Sequence, residues 1–374
     1  MTVDEVTPAA PILEVTGLRR FFPIRRGLLR RHVGDVRAVD GVSLTVHEGE
    51  TLGIVGESGS GKTTLGRCIV RAQAPTAGTI RYRAADGAVV DLAALDRSAL
   101  RPYRRELRMI FQDPYSSLNP RMTVRDLVAE PLVIQGLARG RDLDDRVVTA
   151  LEQVGLSAEH LRRYPHAFSG GQRQRIGIAR AIVLDSARLV VADEAVSALD
   201  VSVRAQILHL LLDLKARRRL TYIFISHDLG VVEYVADRVG VMYAGRIVEV
   251  APTDALYHRP RHPYTEALLS AVPDPEPDRR RERIVLGGEV PDPADLPTGC
   301  AFHPRCAYAT ARCRIEVPAL APVGTGHEVA CHEAPVLHLR GVAVAPDAMG
   351  SDPVTVVRPT AAALGDASLT GGRA

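Results

Sequence analysis

The sequence predicts an α/β protein whose core is a parallel β-sheet covered by helices. Three apolar runs have the length and the Val, Ile and Leu content of strands buried on both faces, namely TLGIVG at 51–56, ARLVVADE at 187–194 and LTYIFISH at 220–227. A helical pattern follows each run, and strands alternating with helices are typical of a parallel sheet. These runs therefore favour the α/β class.

The segments around this core predict its organisation. Short alternating apolar stretches at 12–46 predict further strands, interrupted by the basic segment RRGLLRRHVGDVR at 25–37, which is predicted as a loop or insertion. A helix is expected from about Lys62 to Ala72, and residues 121–163 carry helical periodicity. We expect a flexible N-terminus at 1–11, a main domain at 12–260 with a helical subdomain at about 113–180, a cysteine-containing extension at 261–340, and a disordered tail at 341–374.

Composition places the chain among soluble globular proteins. The 374 residues allow two domains, or one large domain with an appendage. The N-terminal MTVDEVTPAAPILEV lacks the parts of a signal peptide, and no run approaches the roughly 18 apolar residues that a membrane span needs. We therefore expect a cytoplasmic protein that reaches a membrane only through a partner. The net charge of +3 is too small to argue for nucleic acid.

A phosphate-binding loop follows the first apolar run. GESGSGKT, Gly56 to Thr63, fits the pattern G-x-x-x-x-G-K-[ST] and lies between a predicted strand and a predicted helix. Glycines let several backbone N–H groups converge on phosphates, and the helix start adds its positive end. Lys62, one of only two lysines, would contact the β- and γ-phosphates, and Thr63 would offer its hydroxyl to Mg²⁺. The alternative is a glycine-rich turn that matches by chance, against which the position of the lysine argues.

Two adjacent carboxylates end the second apolar run. Asp193 can bind Mg²⁺ at the strand end, and Glu194 can act as the general base that polarises the attacking water. The same pair could instead cap a helix. The upstream phosphate loop favours the catalytic interpretation.

The segment FSGGQRQRIGIARAI at 168–182 resembles the signature of ATP-binding-cassette (ABC) ATPases. Their other motifs appear in order: FQDP with Gln112, SALD at 197–200 and SHD with His227, while Phe22, or alternatively Phe21, lies where the family places an aromatic against adenine. Taken singly, Gln112 could be a surface residue, His227 a buried structural histidine and Phe22 plain core. The resemblance covers residues 12–260 and implies a P-loop NTPase with a RecA-like parallel core, an antiparallel β subdomain and an inserted α-helical subdomain.

The resemblance implies an ATP and Mg²⁺ site divided between two subunits. Ser169 and Gly171 would close on the γ-phosphate held by the partner, and Asp200 would lie at the dimer seam. The expected catalytic residues are Glu194, His227, Gln112 and Lys62, and the expected Mg²⁺ ligands are Thr63, Gln112 and Asp193. The expected nucleotide-binding residues are Phe22, Gly56, Ser58, Gly59, Ser60, Gly61, Lys62, Thr63, Thr64, Gln112, Ser169, Gly170, Gly171, Gln172, Asp193, Asp200 and His227.

One position departs from the family pattern. A proline usually follows the catalytic glutamate, and here Ala195 does. Alanine relaxes the turn without removing a reactive group, so active hydrolysis is expected with a less rigid Glu194.

Further segments resemble the ATPases of oligopeptide and dipeptide importers, namely MIFQDPYSSLNPRMTV at 109–124, HRPRHPYTEALLSAVP at 258–273 and the opening at 21–43. This resemblance implies a heterodimer with a sister ATPase, two permease subunits, an extracytoplasmic peptide-binding protein, and a place on the cytoplasmic face of the membrane. A related importer for nickel or another small solute is the alternative. A soluble ABC ATPase acting on nucleic acid or ribosomes is disfavoured because the chain has one cassette and no sustained heptads.

Four of the five cysteines lie within 32 residues, as Cys300, Cys306, Cys313 and Cys331, spaced C-x5-C-x6-C-x17-C. A cytoplasmic protein is not expected to keep them as disulfides. Their gaps are wider than those of ordinary zinc sites, whereas four thiolates suit a [4Fe–4S] cluster, which the resemblance also implies for some importer ATPases. Zn²⁺, with His303, His327 or His332 as substitute ligands, and reduced free thiols remain open. Cys68 is predicted to pack in the core.

Overall fold

A computed structural model describes residues 10–27, 31–113, 117–272 and 283–342. The predicted flexible N-terminus therefore lies almost wholly outside the described residues, as does the predicted tail beyond residue 342. No helix within these ranges combines the length and the apolar composition that crossing a membrane requires.

Twelve strands are present in the described residues: β1 (Pro11–Arg26), β2 (Arg31–His47), β3 (Thr51–Val55), β4 (Ala77–Arg83), β5 (Val89–Asp91), β6 (Leu107–Ile110), β7 (Leu189–Asp193), β8 (Thr221–Ile225), β9 (Arg238–Tyr243), β10 (Arg246–Pro252), β11 (Ala321–Gly324) and β12 (His327–Val329). The helices of the same ranges are α1 (Lys62–Ile69), α2 (Val124–Gln135), α3 (Gly140–Gln153), α4 (Gly170–Ile182), α5 (Val201–Arg218), α6 (Leu229–Val235), α7 (Thr253–His258), α8 (Pro263–Ser270) and α9 (Ala311–Ile315). Short 3-10 helices lie at Tyr103–Arg105, Ala158–His160, Pro165–Ala167 and His303–Arg305.

The larger sheet has eight strands in the order β11-β12-β10-β9-β3-β8-β7-β6. Strands β9, β3, β8, β7 and β6 pair in parallel, and β3, β7 and β8 are buried along their whole length. The carboxyl ends of parallel strands meet at one edge of a sheet, where the following loops can build a common site. The predicted α/β class with a parallel core is confirmed.

The smaller sheet is antiparallel, in the order β2-β1-β4-β5. The prediction of a loop or insertion in the basic segment at 25–37 was wrong for its described part, because β1 and β2 remain paired as far as Arg25–His32 and Arg26–Arg31. These outer positions are exposed on both faces, so they need no apolar alternation, and the sequence shows none.

Helix α1 ends earlier than the expected boundary near Ala72. Its last residue is Ile69, and Arg71 then takes a left-handed backbone conformation with φ of 54°. Such a residue ends a helix by turning the chain away from the helical path.

Helices α2, α3 and α4 form a block between β6 and β7 that ends at Ile182. Their buried faces meet in one apolar cluster that includes Val128, Leu132, Val147, Leu151 and Ile176. Thr123 caps α2 by accepting a hydrogen bond from the Asp126 N–H at 3.2 Å. The C-terminal end of α4 lies against β6, where the Arg108 guanidinium donates to the carbonyl oxygens of Arg180 and Ala181, each at 3.1 Å.

The C-terminal extension joins the main sheet through the hairpin β11–β12, whose second strand pairs with β10. Glu249 on β10 is fully buried and holds this junction. Its carboxylate accepts hydrogen bonds from the backbone N–H groups of Arg261 (2.7 Å) and His262 (3.0 Å) and lies 2.7 Å from Nε2 of His327 on β12. One buried carboxylate therefore ties the core strand to two parts of the extension.

Candidate functional site

The phosphate loop connects the end of β3 to the first residue of α1. Two of its glycines are required by both conformation and space. Gly56 has φ of 151°, and a Cβ there would lie 2.1 Å from the Met242 carbonyl oxygen; Gly61 has φ of 102°, and a Cβ there would lie 2.0 Å from the Ala38 carbonyl oxygen. Side chains at either position would push the loop off the core, so the loop conformation depends on glycine.

Lys62 is buried inside this loop. Its ammonium donates to the carbonyl oxygens of Gly56 (2.7 Å) and Glu57 (2.8 Å) and to the Ser60 hydroxyl (3.3 Å). Burial lowers the pKa of Lys62, and the nearby carboxylates of Glu194 and Asp193 oppose that shift. The loop therefore encloses a positive charge at the start of a helix, which is the arrangement that binds phosphate groups.

Thr63 and Asp193 provide oxygen ligands beside the loop. The Thr63 hydroxyl donates to Asp193 Oδ1 at 2.9 Å, and Asp193 is only 1% exposed at the end of β7. Burial raises the pKa of Asp193. A hydroxyl and a carboxylate next to a phosphate site form the hard donor set that Mg²⁺ prefers, so these residues fit the metal.

Glu194 lies between two predicted partners. Gln112 Nε2 donates to Glu194 Oε2 at 2.7 Å, and His227 Nδ1 lies 3.2 Å from Glu194 Oε1. The three residues follow β6, β7 and β8, so the parallel sheet brings them together from positions far apart in sequence. The His227 side chain is 55% exposed, which rules out the alternative of a buried structural histidine.

The backbone of Glu194 is held in an uncommon conformation. Its φ is 46°, in the left-handed region, and its N–H donates to the Ile225 carbonyl oxygen at 2.9 Å. A non-glycine residue in this region carries a strain of about 1–3 kcal/mol, and such residues cluster at functional sites. This backbone conformation sets the direction in which the Glu194 side chain projects from the end of β7.

The signature segment begins α4. Ser169 is the N-cap: its Oγ accepts from the Gln172 N–H at 3.3 Å, while Gln172 Oε1 accepts from the Ser169 N–H at 3.1 Å. Gly170 follows as the first helical residue, and Gly171 packs against Val203 so closely that a Cβ would lie 2.4 Å from its Cγ1. The hydrogen bonds of Ser169 thus stay within the start of α4, and the residue is exposed to solvent.

The remaining predicted nucleotide residues occupy varied positions. Asp200 is the exposed N-cap of α5 and forms no side-chain cap. Ser58 and Gly59 are exposed at the tip of the phosphate loop, and Thr64 is half-buried on α1. Phe22 lies on β1, with the Arg20 guanidinium 4.5 Å from its ring centre.

The four C-terminal cysteines share one cavity, which Cys300, Cys306, Cys313 and Cys331 line together with His303 and His332. The cavity is about 10 Å³, roughly the room that one water molecule needs. Burial raises the pKa of the Cys306 and Cys331 thiols to about 11. In the described ranges, no group of three or more His, Cys, Asp or Glu residues is set to hold a metal ion. The thiols therefore converge without forming a metal-ligand geometry, and Cys68 is buried apart from them in the core.

Sequence reasoning missed one set of residues at the phosphate loop. The Glu57 carboxylate receives two hydrogen bonds from the Arg305 guanidinium, and the Glu57 N–H donates to the Tyr264 hydroxyl at 2.8 Å. Arg305 is 248 residues away in sequence, so no local pattern could indicate this pair. The charge of Glu57 within a phosphate-binding loop was the available signal, since it calls for a partner.

Comparisons with known proteins agree with this geometry. The family model for "ABC transporter" matches residues 39–197, and the model for "Oligopeptide/dipeptide transporter, C-terminal region" matches residues 248–313. The dimeric post-hydrolysis structure of the ATP-binding cassette MJ0796, bound to ADP and phosphate, aligns with a TM-score of 0.55 and 26% identity, over 64% of this chain and 98% of that one.

Two curated relatives are similar over most of the chain. The probable peptide ABC transporter ATP-binding protein y4tS of Sinorhizobium fredii is 51% identical over 86% of this chain and 89% of its own length. The oligopeptide transport ATP-binding protein AppF of Bacillus subtilis is 49% identical over 86% of this chain and 97% of its own length. On this evidence, the chain belongs to the family of ATP-binding proteins of oligopeptide and dipeptide ABC transporters.

Proposed function

We propose that this chain is the ATP-hydrolysing subunit of a membrane importer that takes up di- and oligopeptides. The observation that carries the proposal is the position of Glu194, whose carboxylate is held between Gln112 and His227 next to the phosphate loop. This arrangement suits a base that deprotonates or polarises water at the end of a bound triphosphate. Relatives of similar length carry names of peptide transporters, which supports the choice of cargo.

ATP is held by groups already arranged in the loop. Lys62 exchanges its present carbonyl partners for phosphate oxygens, and the N–H groups from Gly59 to Thr64 surround the phosphates. Thr63, Asp193 and Gln112 would hold Mg²⁺, which supplies charge stabilisation to the phosphates. As the water oxygen bonds to the γ-phosphorus and the bond to the ADP oxygen breaks, Glu194 takes the water proton, and His227 orients the carboxylate.

The site is completed by a second ATPase subunit. Ser169, Gly170 and Gly171 at the exposed start of α4 would bind the γ-phosphate of the partner's nucleotide, because a helix start with free N–H groups attracts anions. Asp200 is exposed at the start of α5 and would lie at the seam. The solved structure of the cassette MJ0796 is dimeric, which supports a second ATPase subunit here.

The membrane partners would be two permease subunits and an extracytoplasmic peptide-binding protein, with a sister ATPase as the second cassette. A groove of about 380 Å³ between the sheet and the helical block would receive a short permease helix. It is lined in part by the exposed Phe111 and Ile134 and by the ion-paired Glu130 and Arg180. A groove that combines apolar and charged residues suits an amphipathic helix. The proposal includes a position on the cytoplasmic face of the membrane and no nucleic acid as a partner.

A reconstituted importer tests this function. The chain is assembled in vesicles with its permeases, sister ATPase and binding protein, and phosphate release is measured with and without peptide. Hydrolysis that increases with peptide, together with peptide accumulation inside the vesicles, supports the proposal. Phosphate release stimulated by nickel and not by peptide would identify nickel as the cargo. Phosphate release that changes with neither solute would contradict an importer for either.

We also propose that the cysteine cavity binds a metal centre, as a [4Fe–4S] cluster in preference to Zn²⁺. Four thiols that converge on one cavity support a shared ligand, although they must move to reach it. Protein purified without oxygen is expected to absorb visible blue light and to contain iron, and Cys313→Ser is expected to lose both signals. The matched control is Cys68→Ser, outside the cavity, which is expected to keep them. Colourless protein that contains zinc would favour Zn²⁺. Protein that contains neither iron nor zinc would contradict a metal site in this cavity.

A further inference from the structure

The C-terminal extension reaches the phosphate loop through an ion pair whose arginine is buried and whose glutamate is half-buried. Arg305 Nη1 donates to Glu57 Oε2 at 2.8 Å, and Arg305 Nη2 donates to Glu57 Oε1 at 3.1 Å. The Arg305 side chain is 7% exposed and that of Glu57 is 27% exposed. Two parallel charge-assisted hydrogen bonds fix both the position and the orientation of the Glu57 carboxylate relative to the Arg305 guanidinium.

A second contact fixes the backbone of the same residue. The Glu57 N–H donates to the Tyr264 hydroxyl at 2.8 Å, and Tyr264 is fully buried on α8. Its ring packs 4.6 Å from Tyr243 and 5.4 Å from Phe302, measured between ring centres. Phe302 belongs to the same turn as Arg305, so both contacts come from one aromatic-supported unit.

Glu57 is itself part of the phosphate cradle. Its carbonyl oxygen accepts from Lys62 Nζ at 2.8 Å and from the Ser60 N–H at 3.2 Å. The Gly56 carbonyl oxygen, in the same peptide group as the Glu57 N–H, accepts from Lys62 Nζ at 2.7 Å. A rotation of either peptide group that flanks Glu57 would therefore displace the lysine. Its carboxylate would also repel a polyphosphate if it were unpaired, because like charges raise each other's free energy at close range.

We infer that Arg305 and Tyr264 are positioning residues for ATP, through which the C-terminal extension sets the conformation and the charge of the phosphate loop. This inference rests on the proposed ATP site. Arg305 neutralises the carboxylate, Tyr264 holds the peptide, and the loop is thereby ready to receive phosphates. The extension then belongs to the nucleotide site, although it lies outside every cassette motif.

Binding of the fluorescent analogue mant-ATP with Mg²⁺ to the full-length chain tests the inference. Arg305→Gln leaves Glu57 unpaired and is expected to weaken the affinity roughly tenfold, the size of one charge-assisted contact. The double variant Glu57→Gln/Arg305→Gln removes the lone carboxylate and is expected to recover most of the affinity. A purely structural role for Arg305 would not produce this recovery.

The matched control is Arg312→Gln, which breaks an exposed ion pair with Glu316 in the same extension and is expected to leave the affinity unchanged. Tyr264→Phe removes only the hydroxyl and is expected to weaken binding several-fold, which keeps the test open if Arg305→Gln does not fold. Unchanged affinity in folded Arg305→Gln, or in Tyr264→Phe, overturns the inference. If the wild-type chain does not bind the analogue at all, the ATP site itself fails, which is a distinguishable result.

Discussion

At the scale of single residues, an uncommon backbone conformation and two side-chain contacts meet at one carboxylate. Glu194 has a left-handed backbone conformation, and its side chain contacts Gln112 and His227. Ala195, where the family usually has a proline, follows Glu194 in the sequence and is buried. The two side-chain contacts can hold the carboxylate where a stiffer turn is missing, so hydrolysis is expected to proceed with alanine at position 195.

Replacing the base isolates its role. Glu194→Gln keeps the size and the hydrogen-bonding shape of the side chain but removes its basicity, so turnover is expected to fall roughly 10²–10⁴-fold. Binding of Mg²⁺–mant-ATP is expected to persist, and an ATP-bound dimer should accumulate on size-exclusion chromatography. Phosphate release measures the turnover. The exposed Glu152→Gln on α3 serves as the control, with wild-type turnover expected. Rapid hydrolysis by Glu194→Gln would assign the base to another group.

At the scale of elements, the helix start of α4 combines two tasks. Ser169 satisfies the N–H of Gln172 within a capping box and also stands exposed where a partner's nucleotide would bind. Thr123 performs the first task for α2 through the Asp126 N–H, without lying in a signature motif. The two caps therefore allow stability and function to be separated.

Removing either cap is expected to lower the free energy of unfolding by the same amount, whereas the effects on ATP hydrolysis are expected to differ. Ser169→Ala and Thr123→Ala are each expected to destabilise the protein by about 1 kcal/mol, the usual effect of a lost N-cap. Only Ser169→Ala is expected to abolish most ATP hydrolysis, while its affinity for mant-ATP as a single chain stays unchanged. Urea unfolding, phosphate release and fluorescence titration measure the three effects. Equal rates of hydrolysis by the two variants would contradict the proposed contact of Ser169 with the nucleotide of the partner subunit.

At the scale of the whole molecule, the extension is a structural part of the cassette. Its hairpin continues the main sheet, Glu249 connects it to the core, and Arg305 pairs with the phosphate loop. His262 lies at this junction, where its Nδ1 accepts the Tyr264 N–H at 3.0 Å. The pKa of His262 is lowered to about 4 by burial, against the opposing effect of Glu249.

This shift makes the junction sensitive to acid. The unfolded chain binds a proton at His262 with a pKa near 6.5, above the folded value, so stability is complete above pH 6.5 and is lost as the pH falls toward 4. Between pH 6.5 and pH 5 the loss of unfolding free energy from this residue is expected to be about 1.5 kcal/mol. Urea unfolding of wild type and His262→Gln at both pH values gives the difference. The exposed His209→Gln is expected to keep the wild-type slope, and an equally steep slope in His262→Gln would contradict the assignment.

The sequence predicted what depends on local pattern. Buried strands and the loop around Lys62 are each encoded within a few neighbouring residues, and the parallel sheet then brings Gln112, Glu194 and His227 together. The pairing of Glu57 with Arg305 could not be predicted, because it joins residues 248 positions apart. The charge of Glu57 in the phosphate loop indicated that it needs a partner, but no local pattern indicates which residue supplies it. The hairpin arms that end at Arg26 and Arg31 were missed for a related reason, since strands exposed on both faces leave no hydrophobic period.

The pair formed by Glu57 and Arg305 has a consequence for engineering the protein. A minimal cassette truncated after Pro252 would retain all the recognisable motifs and still carry an unneutralised acid within its nucleotide cradle. Grafting the terminal region of another transporter onto this cassette would succeed only when the donor brings a guanidinium to the same place. Residues 57 and 305 should therefore be exchanged as one unit in any chimera.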